Sequence, residues 1–300
     1  MATAVFAYLT EPANHVVFVA VLLNKARGMT IHLKSAFNVV TDAGSRQNKL
    51  LAALPQVEWY RLQRHLDPIR LLQAEILREA DSYPEYAYFP TTSIISVVDA
   101  EADGASTEVS SVGNEGLLGI AIFLGGETTP RQAIVQSTGW AYRISAENLR
   151  SELDRDGALK HLLGRYTQAL LTLVGQTAVC NRRHSIVQRM CRWLLLHLDR
   201  AASMEMAMTH EMLATLLGVR REGITDAACK LQMEGFITYH RGRITVIDRS
   251  GLESICCRCH GLVRREFDRL LTPGHPPGYR GVALAANCAR PAGERDASVR

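Results

Sequence analysis

The fold is decided by the stretch Thr209-His-Glu-Met-Leu-Ala-Thr-Leu-Leu-Gly-Val-Arg-Arg-Glu-Gly-Ile-Thr-Asp-Ala-Ala-Cys-Lys230, which predicts two short helices joined by a tight turn. The Thr209 hydroxyl can cap the first helix by accepting from its free N–H groups. Gly218 ends that helix and supplies a turn backbone that residues with a Cβ resist. Apolar residues recur at helical spacing on the two inner faces: Leu213, Ala214, Leu216, Leu217, Val219, Ile224, Ala227 and Ala228. This pattern is typical of a helix-turn-helix.

The outer face of the second helix, which we expect to begin near Arg220, carries side chains able to read base edges. They are Arg221, Glu222, Thr225 and Asp226. Taken alone, the stretch is also compatible with an αα-corner in an ordinary helical domain. The residues that follow it favour the helix-turn-helix.

Those following residues are typical of a winged helix. Gly235 ends the second helix, and Phe236–Ile247 contains two β-favouring runs around Arg241-Gly242. That pattern predicts a hairpin with basic residues at its tip. We expect a set of polar and basic side chains to hold DNA phosphates beside the groove: Thr209, His210, Arg220, Lys230, Arg241 and Arg243.

Charge is distributed unevenly along the 300 residues, although the formal net charge is only +4. Residues 46–156 contain 10 Lys and Arg against 16 Asp and Glu, whereas residues 181–270 contain 15 against 10. An acidic first half and a basic second half indicate a sensing domain followed by one that binds a polyanion. The basic residues of the second half are Arg except for Lys230, which suits bidentate contact with phosphate and guanine.

Seven cysteines without a regular framework indicate a reducing compartment. Val16–Leu23, compatible with a strand or a helix, is too short to span a bilayer and lacks the basic flank of a signal peptide. We therefore expect a cytoplasmic protein without a membrane partner. Residues 1–45 receive no function, and the Pro-, Gly- and Ala-rich residues 271–300 are predicted to be a disordered tail.

Between these ends the secondary structure that the sequence predicts changes from helical to β-rich. Residues 46–72 are predicted to be helical, with the helical part ending near Pro68. Short β-favouring runs then follow from Ile69 to Ile144, as in Tyr86–Phe89, Ser93–Val98, Thr107–Val112 and Gln132–Gln136. Their spacing predicts a β-barrel or β-roll within a sensor domain of residues 46–156. Five glycines in Val112–Gly126 permit close approach to a ligand such as a phosphate, but tight turns in a small barrel are favoured two to one over a ligand site.

Residues 157–183 predict a long amphipathic helix. Apolar and small polar residues recur at intervals of three and four, as expected for a dimer seam: Leu159, Leu162, Tyr166, Leu170, Leu173 and Thr177. The alternative is a helix packed on its own barrel. Residues 184–270 then form the winged-helix domain, which includes an apolar helix Ile186–Leu198 and a closing helix Ser250–Leu271.

An acidic β-roll, a central helix and a C-terminal winged helix, in this order, resemble the Crp/Fnr family of bacterial transcription regulators over residues 46–270. The resemblance is strongest in Thr209–Asp248. It implies an α+β fold with a jelly-roll-like, cyclic-nucleotide-binding-like double-stranded β-helix, a dimerisation helix and a winged helix-turn-helix. It also implies that Arg221, Glu222 and Asp226 occupy the base-reading positions, where Asp226 departs from the family's frequent Arg.

The resemblance places an effector pocket at Gly116, Gly119, Arg131 and Gln132. Members that bind cyclic nucleotides carry Gly-Glu-Leu, in which Glu holds the ribose, followed by an Arg-Ser or Arg-Thr pair that holds the phosphate. Here Ile120 replaces the glutamate and cannot accept a ribose hydroxyl. We therefore expect a roll that does not bind cyclic AMP, with its effector unidentified.

The resemblance also bears on metals. Iron–sulfur members cluster cysteines before the roll, whereas this chain has none before Cys180. In the group Cys256-Cys257-Arg258-Cys259-His260, Cys256 and His260 would share a helix face, but no second pair stands at zinc-finger spacing. We predict no cofactor and no metal, with metal or redox sensing at this group as the minor alternative.

The leading interpretation is a homodimeric, sequence-specific regulator of the Crp/Fnr type. Its partners would be double-stranded DNA, a second copy of itself, RNA polymerase and an unidentified small-molecule effector. The rival interpretation is a ligand-sensing module whose winged helix contacts protein. An enzyme is the weakest, because no catalytic triad, metal triad, P-loop or paired-carboxylate spacing is present.

Overall fold

The computed structural model describes residues 4–6, 20–22, 42–100, 106–126, 128–201 and 203–272. The chain forms two compact units, Met1–Val39 and Val40–Arg300. In the first unit, strands β1 (Ala4–Phe6) and β2 (Ala20–Leu22) pair antiparallel. The rest of the segments 1–45 and 271–300 lies outside the described residues, apart from 42–45 and 271–272, so the predicted tail stays a prediction.

Short helices open the second unit: α1 (Asp42–Ser45), α2 (Lys49–Ala52) and α3 (Gln56–Leu62), followed by a 3-10 turn at Gln63–His65. Helical structure ends at His65, and strand β3 (Asp67–Leu71) follows, close to Pro68, where the helical part was predicted to end. Pro68 fits there, since β3 lies at the edge of its sheet, where a missing N–H costs no ladder bond.

Two antiparallel sheets form the roll. The remaining strands are β4 (Ile76–Arg78), β5 (Tyr86–Pro90), β6 (Ile94–Ala100), β7 (Ser106–Val112), β8 (Gln132–Ser137) and β9 (Gly139–Ser145). The sheet orders are β3-β9-β5 and β4-β8-β6-β7. Buried side chains from both sheets, such as Leu71, Tyr88, Ile95 and Val135, share one core. The predicted jelly-roll-like domain is confirmed, and β9 lies at the end of the β-favouring stretch that was predicted to reach Ile144.

Helix α4 (Ile120–Leu124) lies within the roll, between β7 and β8. Three helices then lead from the roll to the rest of the chain: α5 (Ala146–Leu153), α6 (Ala158–Arg183) and α7 (Ile186–Leu198). The Glu58 carboxylate accepts from the N–H groups of Ala158 and Leu159 at 2.7 and 2.9 Å. A carboxylate is favourable there because the free N–H groups carry partial positive charge. The start of α6 is thus fixed to the helices that precede the roll.

The winged helix consists of β10 (Glu205–Ala207), α8 (His210–Leu217), α9 (Arg221–Met233), β11 (Ile237–His240) and β12 (Arg243–Val246), followed by α10 (Arg249–Ile255) and α11 (Cys259–Leu271). The predicted helices, turn and hairpin are present, and β10 adds a third strand in the order β10-β12-β11. Among the described helices, none is both long and apolar enough to cross a lipid bilayer.

The closing segment differs from the prediction in two ways. The prediction of a single helix over Ser250–Leu271 is wrong, because α10 ends at Ile255 and a separate helix, α11, begins at Cys259. Val263, Phe267 and Leu270 of α11 belong to the core of α6 and the roll, not to the separate core of the winged helix. Helical periodicity identifies an apolar face, but it does not identify the element against which that face packs.

Candidate nucleic-acid interface

The helix-turn-helix is held by an apolar interior and two specific end contacts. The Thr209 hydroxyl accepts from the N–H of Met212 at 3.1 Å, which caps α8. Gly218 adopts a φ of 59°, and Val219 N donates to the Ala214 carbonyl at 3.0 Å. The inner faces of α8 and α9 are buried at Leu213, Ala214, Leu217, Ile224, Ala227, Ala228 and Leu231. Of the predicted inner positions, Leu216 and Val219 are half-buried.

The outer face of α9 is open at three of the four predicted base-reading residues. Arg221, Glu222 and Asp226 are exposed in its first two turns. Arg221 Nε lies 3.8 Å from Glu211 Oε2, and the two side chains are 67% and 70% exposed. An ion pair this open contributes little to stability, so the guanidinium is available to another partner.

Thr225, the fourth predicted base-reading residue, is already engaged. Its hydroxyl donates to the Arg221 carbonyl at 3.1 Å and also lies 3.1 Å from His210 Nδ1. With the hydroxyl engaged in these two contacts, the methyl group is what the half-buried Thr225 offers to a ligand.

His210, predicted to hold a phosphate, instead links α8 to the wing. Its ring stacks on Tyr239 of β11, with centroids 4.1 Å apart and planes 21° apart. Partial burial, reinforced by the charge of Arg221, lowers the pKa of His210. A neutral imidazole is a weaker partner for phosphate than an imidazolium, so the geometry favours a positioning role.

The wing ends in the predicted two-residue turn. Arg241 and Gly242 have φ of 47° and 75°, and the flanking residues His240 and Arg243 face each other in the ladder. Positive φ at both central residues is the signature of a type I′ turn, whose twist matches that of the strands. Arg243 Nη1 lies 2.5 Å from Glu205 Oε1, whereas Arg241 is exposed at the tip.

The start of α9 faces strand β7 of the roll across a shallow cleft. The cleft is lined from the roll by Ser106 and Thr107 and from the reading face by Arg220, Arg221 and Glu222. A Cβ on Gly218 would lie 3.0 Å from the Thr107 hydroxyl. The exposed Arg220 and, at the far end of α9, Lys230 complete the predicted phosphate-binding set.

The four predicted effector residues have structural contacts of their own. A Cβ on Gly116 would lie 2.5 Å from the Tyr166 hydroxyl, and Gly119 has a φ of 110° beside Ala87. The Arg131 carbonyl accepts from Arg78 at 3.4 Å, and Gln132 Nε2 donates to Glu79 at 2.5 Å. Close packing and turn geometry therefore account for the two glycines, which favours the structural interpretation over a ligand site.

The predicted dimer seam of α6 lies largely inside the protomer. Leu159, Leu162, Tyr166 and Leu173 are buried against the roll and α11, and Leu170 and Thr177 are half-buried. The Tyr166 hydroxyl donates to the Leu117 carbonyl at 3.3 Å. The assignment of these buried side chains to a seam is therefore wrong, and the alternative of a helix packed on its own barrel is correct for this face.

Two members of the predicted cysteine group, Cys256 and His260, do not belong to the cluster that the structure forms. His260 does not face the cysteines, since its Nε2 lies 2.8 Å from Asp199 Oδ2. Burial would raise the pKa of Asp199, but hydrogen bonds from His260 and Arg249 outweigh it and lower the pKa to about 2. The ligand atoms of Cys257 and Cys259 lie instead with those of Cys180 in α6 and of His184 at its C-terminal cap, all within 4.8 Å of one another. The i,i+4 spacing of Cys180 and His184, at the end of the helix predicted over residues 157–183, was the signal available in the sequence.

Comparisons with known proteins identify the winged helix and the overall fold. Residues 188–255 match the family described as the Crp-like helix-turn-helix domain. No curated protein matches the chain.

Solved structures with a similar fold include FixK2 from Bradyrhizobium japonicum, with 17% identity and a TM-score of 0.54 over 64% of this chain and 98% of that one. A protein described as a putative transcriptional regulator of the Crp/Fnr family from Eubacterium rectale has 18% sequence identity and a TM-score of 0.51. The match covers 70% of this chain and 98% of that one. The c-di-GMP responsive global regulator CLP of Xanthomonas campestris has 17% sequence identity and a TM-score of 0.51. The match covers 65% of this chain and 100% of that one. At these identities the likeness establishes the fold.

Proposed function

We propose that this chain, which joins a Crp-like helix-turn-helix domain to the fold of the Crp/Fnr regulators, is a homodimeric, sequence-specific DNA-binding transcription regulator. The observation that carries the proposal is the reading face of α9. Its inner side is buried in the winged-helix core, while Arg221, Glu222 and Asp226 are exposed beside the basic wing. A rigid helix with exposed polar side chains in its first turns is what the major groove admits.

Each side chain has a chemically distinct role in this proposal. Arg221 pairs with guanine O6 and N7, and Glu222 accepts from the amino group of cytosine or adenine. Asp226 accepts from cytosine, while the Thr225 methyl contacts a thymine methyl. Thr209, Arg220, Lys230, Arg241 and Arg243 contact phosphates, which fix the register without reading the sequence.

The homodimer requires a face of α6 other than the predicted seam. The opposite side of the helix is exposed at a spacing of four and three residues: Gly164, Gln168, Leu171, Gly175 and Ala178. We call this set the open face of α6. Leu171 is 68% exposed, and no described atom lies within 4 Å of a Cβ placed on Gly164 or Gly175. Small residues with a central leucine at heptad spacing favour close pairing of two such helices.

The proposal is tested by selecting bound fragments from a random DNA library with the full-length protein. We expect a near-palindromic site with half-sites about 34 Å apart. Binding of the selected site should weaken steeply as salt rises, because bound phosphates release counterions. No enrichment, together with no salt-dependent binding, would favour the rival function in which the winged helix contacts protein.

A matched set of arginine variants separates reading from anchoring. Arg221→Ala should cost about 1–3 kcal/mol at one base position and relax specificity there. Arg241→Ala should weaken binding to all DNA sequences alike. It should also reduce by about one the slope of the logarithm of the binding constant against the logarithm of the salt concentration. Arg150→Ala, an exposed arginine on α5 of the roll, serves as the control and should change neither. Uniform weakening by Arg221→Ala would identify that residue as a phosphate contact.

The effector of this regulator is not cyclic AMP in our proposal. Ile120 begins α4 at the position where a ribose-binding glutamate is expected from the resemblance, and it offers no acceptor. Titration calorimetry of the purified protein should detect no micromolar binding of cyclic AMP. A micromolar binding isotherm would refute this part. RNA polymerase remains a proposed partner, to be tested by transcription in vitro from a selected site.

A further inference from the structure

Four side chains that the DNA-binding function does not use meet at the end of the central helix. Cys180 lies in the last turn of α6, and His184 is the residue that caps the C-terminus of that helix. Cys257 lies between α10 and α11, and Cys259 is the first residue of α11. Their ligand atoms all lie within 4.8 Å of one another. The three cysteines are buried, and His184 is half-buried. Residues 77 positions apart in the chain thus form one compact cluster.

The separations within the cluster are those of ligands around one metal ion. Cys180 Sγ lies 3.6 Å from Cys257 Sγ, and Cys259 Sγ lies 3.5 Å from His184 Nδ1. A tetrahedral zinc ion with Zn–S about 2.3 Å and Zn–N about 2.0 Å places two sulfurs about 3.8 Å apart and sulfur and nitrogen about 3.5 Å apart. No two ligand atoms lie more than 4.8 Å apart, so a shift of about 1 Å at most brings each pair to such an edge. One ion therefore fits with small side-chain rotations.

The surroundings suit a site with bound thiolates. Gln176 Nε2 donates to Cys259 Sγ at 3.1 Å, and a donor of this kind stabilises negative charge on sulfur. Arg189 and Arg192 line the same cavity as Cys180. Three thiolates around a divalent cation leave one negative charge, which neighbouring guanidinium groups offset. Second-shell donors of this kind orient ligands and tune their basicity.

We propose that Cys180, His184, Cys257 and Cys259 form a Cys3His site for a single Zn2+ ion. Three thiolates and one imidazole in a closed, mostly buried shell are a ligand set of structural zinc sites. The ion would link the segment between α10 and α11 to the end of α6. His184 directly precedes Ser185, which caps α7. This linkage would fix the junction between the central helix and the winged helix. It does not depend on whether the winged helix binds DNA.

The proposal differs from the expectation of no metal that the sequence suggested. Within Cys256–His260, the group of ligands was incomplete because His260 pairs with Asp199. The missing pair, Cys180 and His184, lies at the C-terminal end of another helix, α6. Cys256, next to a ligand, is not a member of the cluster, and it therefore provides a matched control.

The test measures metal content and ligand chemistry in full-length protein purified under reducing conditions. Wild type expressed with zinc should contain about one zinc per chain. Cys257→Ser and His184→Ala should lose most of it, whereas Cys256→Ser should retain it. Each variant is compared by circular dichroism and gel filtration. Zinc loss from Cys256→Ser equal to that from Cys257→Ser would overturn the ligand set.

A second measurement on wild type does not depend on variants folding. Metal-free protein loaded with Co2+ should show the intense visible bands of tetrahedral cobalt and thiolate-to-metal charge transfer in the near ultraviolet. Zinc added to metal-free wild type should raise Tm by roughly 5 °C or more, because a ligand bound only to the folded state stabilises it. Wild type without stoichiometric metal, octahedral cobalt spectra, or iron with acid-labile sulfide would each refute the zinc site.

Discussion

At the scale of single residues, His197 shows how burial governs a titrating group where α7 meets the roll. The side chain is almost fully buried, stacks on Trp193 and lies 3.3 Å from Gln136 Nε2 of β8. An amide N–H donates to Nδ1 only when that nitrogen is unprotonated. Burial, with a further contribution from the charge of Arg200, lowers the pKa of His197 to about 4. The imidazole is therefore neutral in the folded protein at neutral pH.

The lowered pKa predicts a pH dependence of stability. Between pH 6.5 and about 4, the unfolded chain takes up a proton at His197 that the folded chain does not. The free energy of unfolding should therefore fall as pH decreases through this window, by up to about 3 kcal/mol. Urea unfolding of wild type and His197→Gln at pH 7, 5.5 and 4.5 measures the effect. Equal pH slopes in the two proteins would contradict it.

The reading residues illustrate what can be predicted at this scale. Arg221, Glu222 and Asp226 are exposed as the helical pattern predicted, because exposure follows from the period of the buried face. The engagement of Thr225 and the stacking of His210 on Tyr239 depend on contacts between separate elements. No local pattern in the sequence contains that information.

At the scale of elements, the central helix shows the limit of periodicity. Two faces of α6 repeat at intervals of three and four, and the more apolar one was assigned to a dimer. That face packs on the roll and α11 instead, because the protomer's own apolar surfaces compete for it. The open face of α6 is the one left to meet a second copy.

This assignment predicts the effect of a charge on the open face. Leu171→Arg should raise the dimer dissociation constant at least tenfold, since two guanidinium groups would be brought together without partners. Sedimentation of the full chain across a concentration series measures it. Leu72→Arg introduces the same charge at an exposed leucine of the roll and should leave association unchanged. An unchanged dissociation constant in Leu171→Arg would place the interface elsewhere.

At the scale of the whole molecule, a buried ion pair joins the roll to the segment after α7. Arg200 Nη2 lies 2.9 Å from Glu115 Oε1, and the two side chains are only 5% and 8% exposed. Arg200 also donates to Ser111 at 2.6 Å, and its stem covers Gly113. The Gly113–Gly116 turn is thereby held between Arg200 and Tyr166, which connects the roll with α6 and α7.

Breaking this pair should be costly. Arg200→Met leaves the Glu115 carboxylate buried without its cation and should lower the free energy of unfolding by about 3–5 kcal/mol. The double variant Arg200→Met, Glu115→Leu should recover much of that loss, because no charge then remains buried. Chemical unfolding of both variants and wild type provides the comparison. A double variant as unstable as the single one would show that packing, and not charge, dominates.

The sequence by itself determined the elements whose physics is local. The helix-turn-helix, the Arg241–Gly242 turn, the β-rich roll and the exposed reading residues follow from period, capping and turn chemistry, all encoded within a few residues. Only the tertiary structure decided where long-range partners meet: β3 with β9, α11 on α6, Arg200 with Glu115, and Cys180 and His184 with Cys257 and Cys259. The physical reason is that such partners are selected by competition among apolar faces and buried charges of the whole chain. The pattern along one segment predicts that a face or a charge will be buried, but not which residues it will contact.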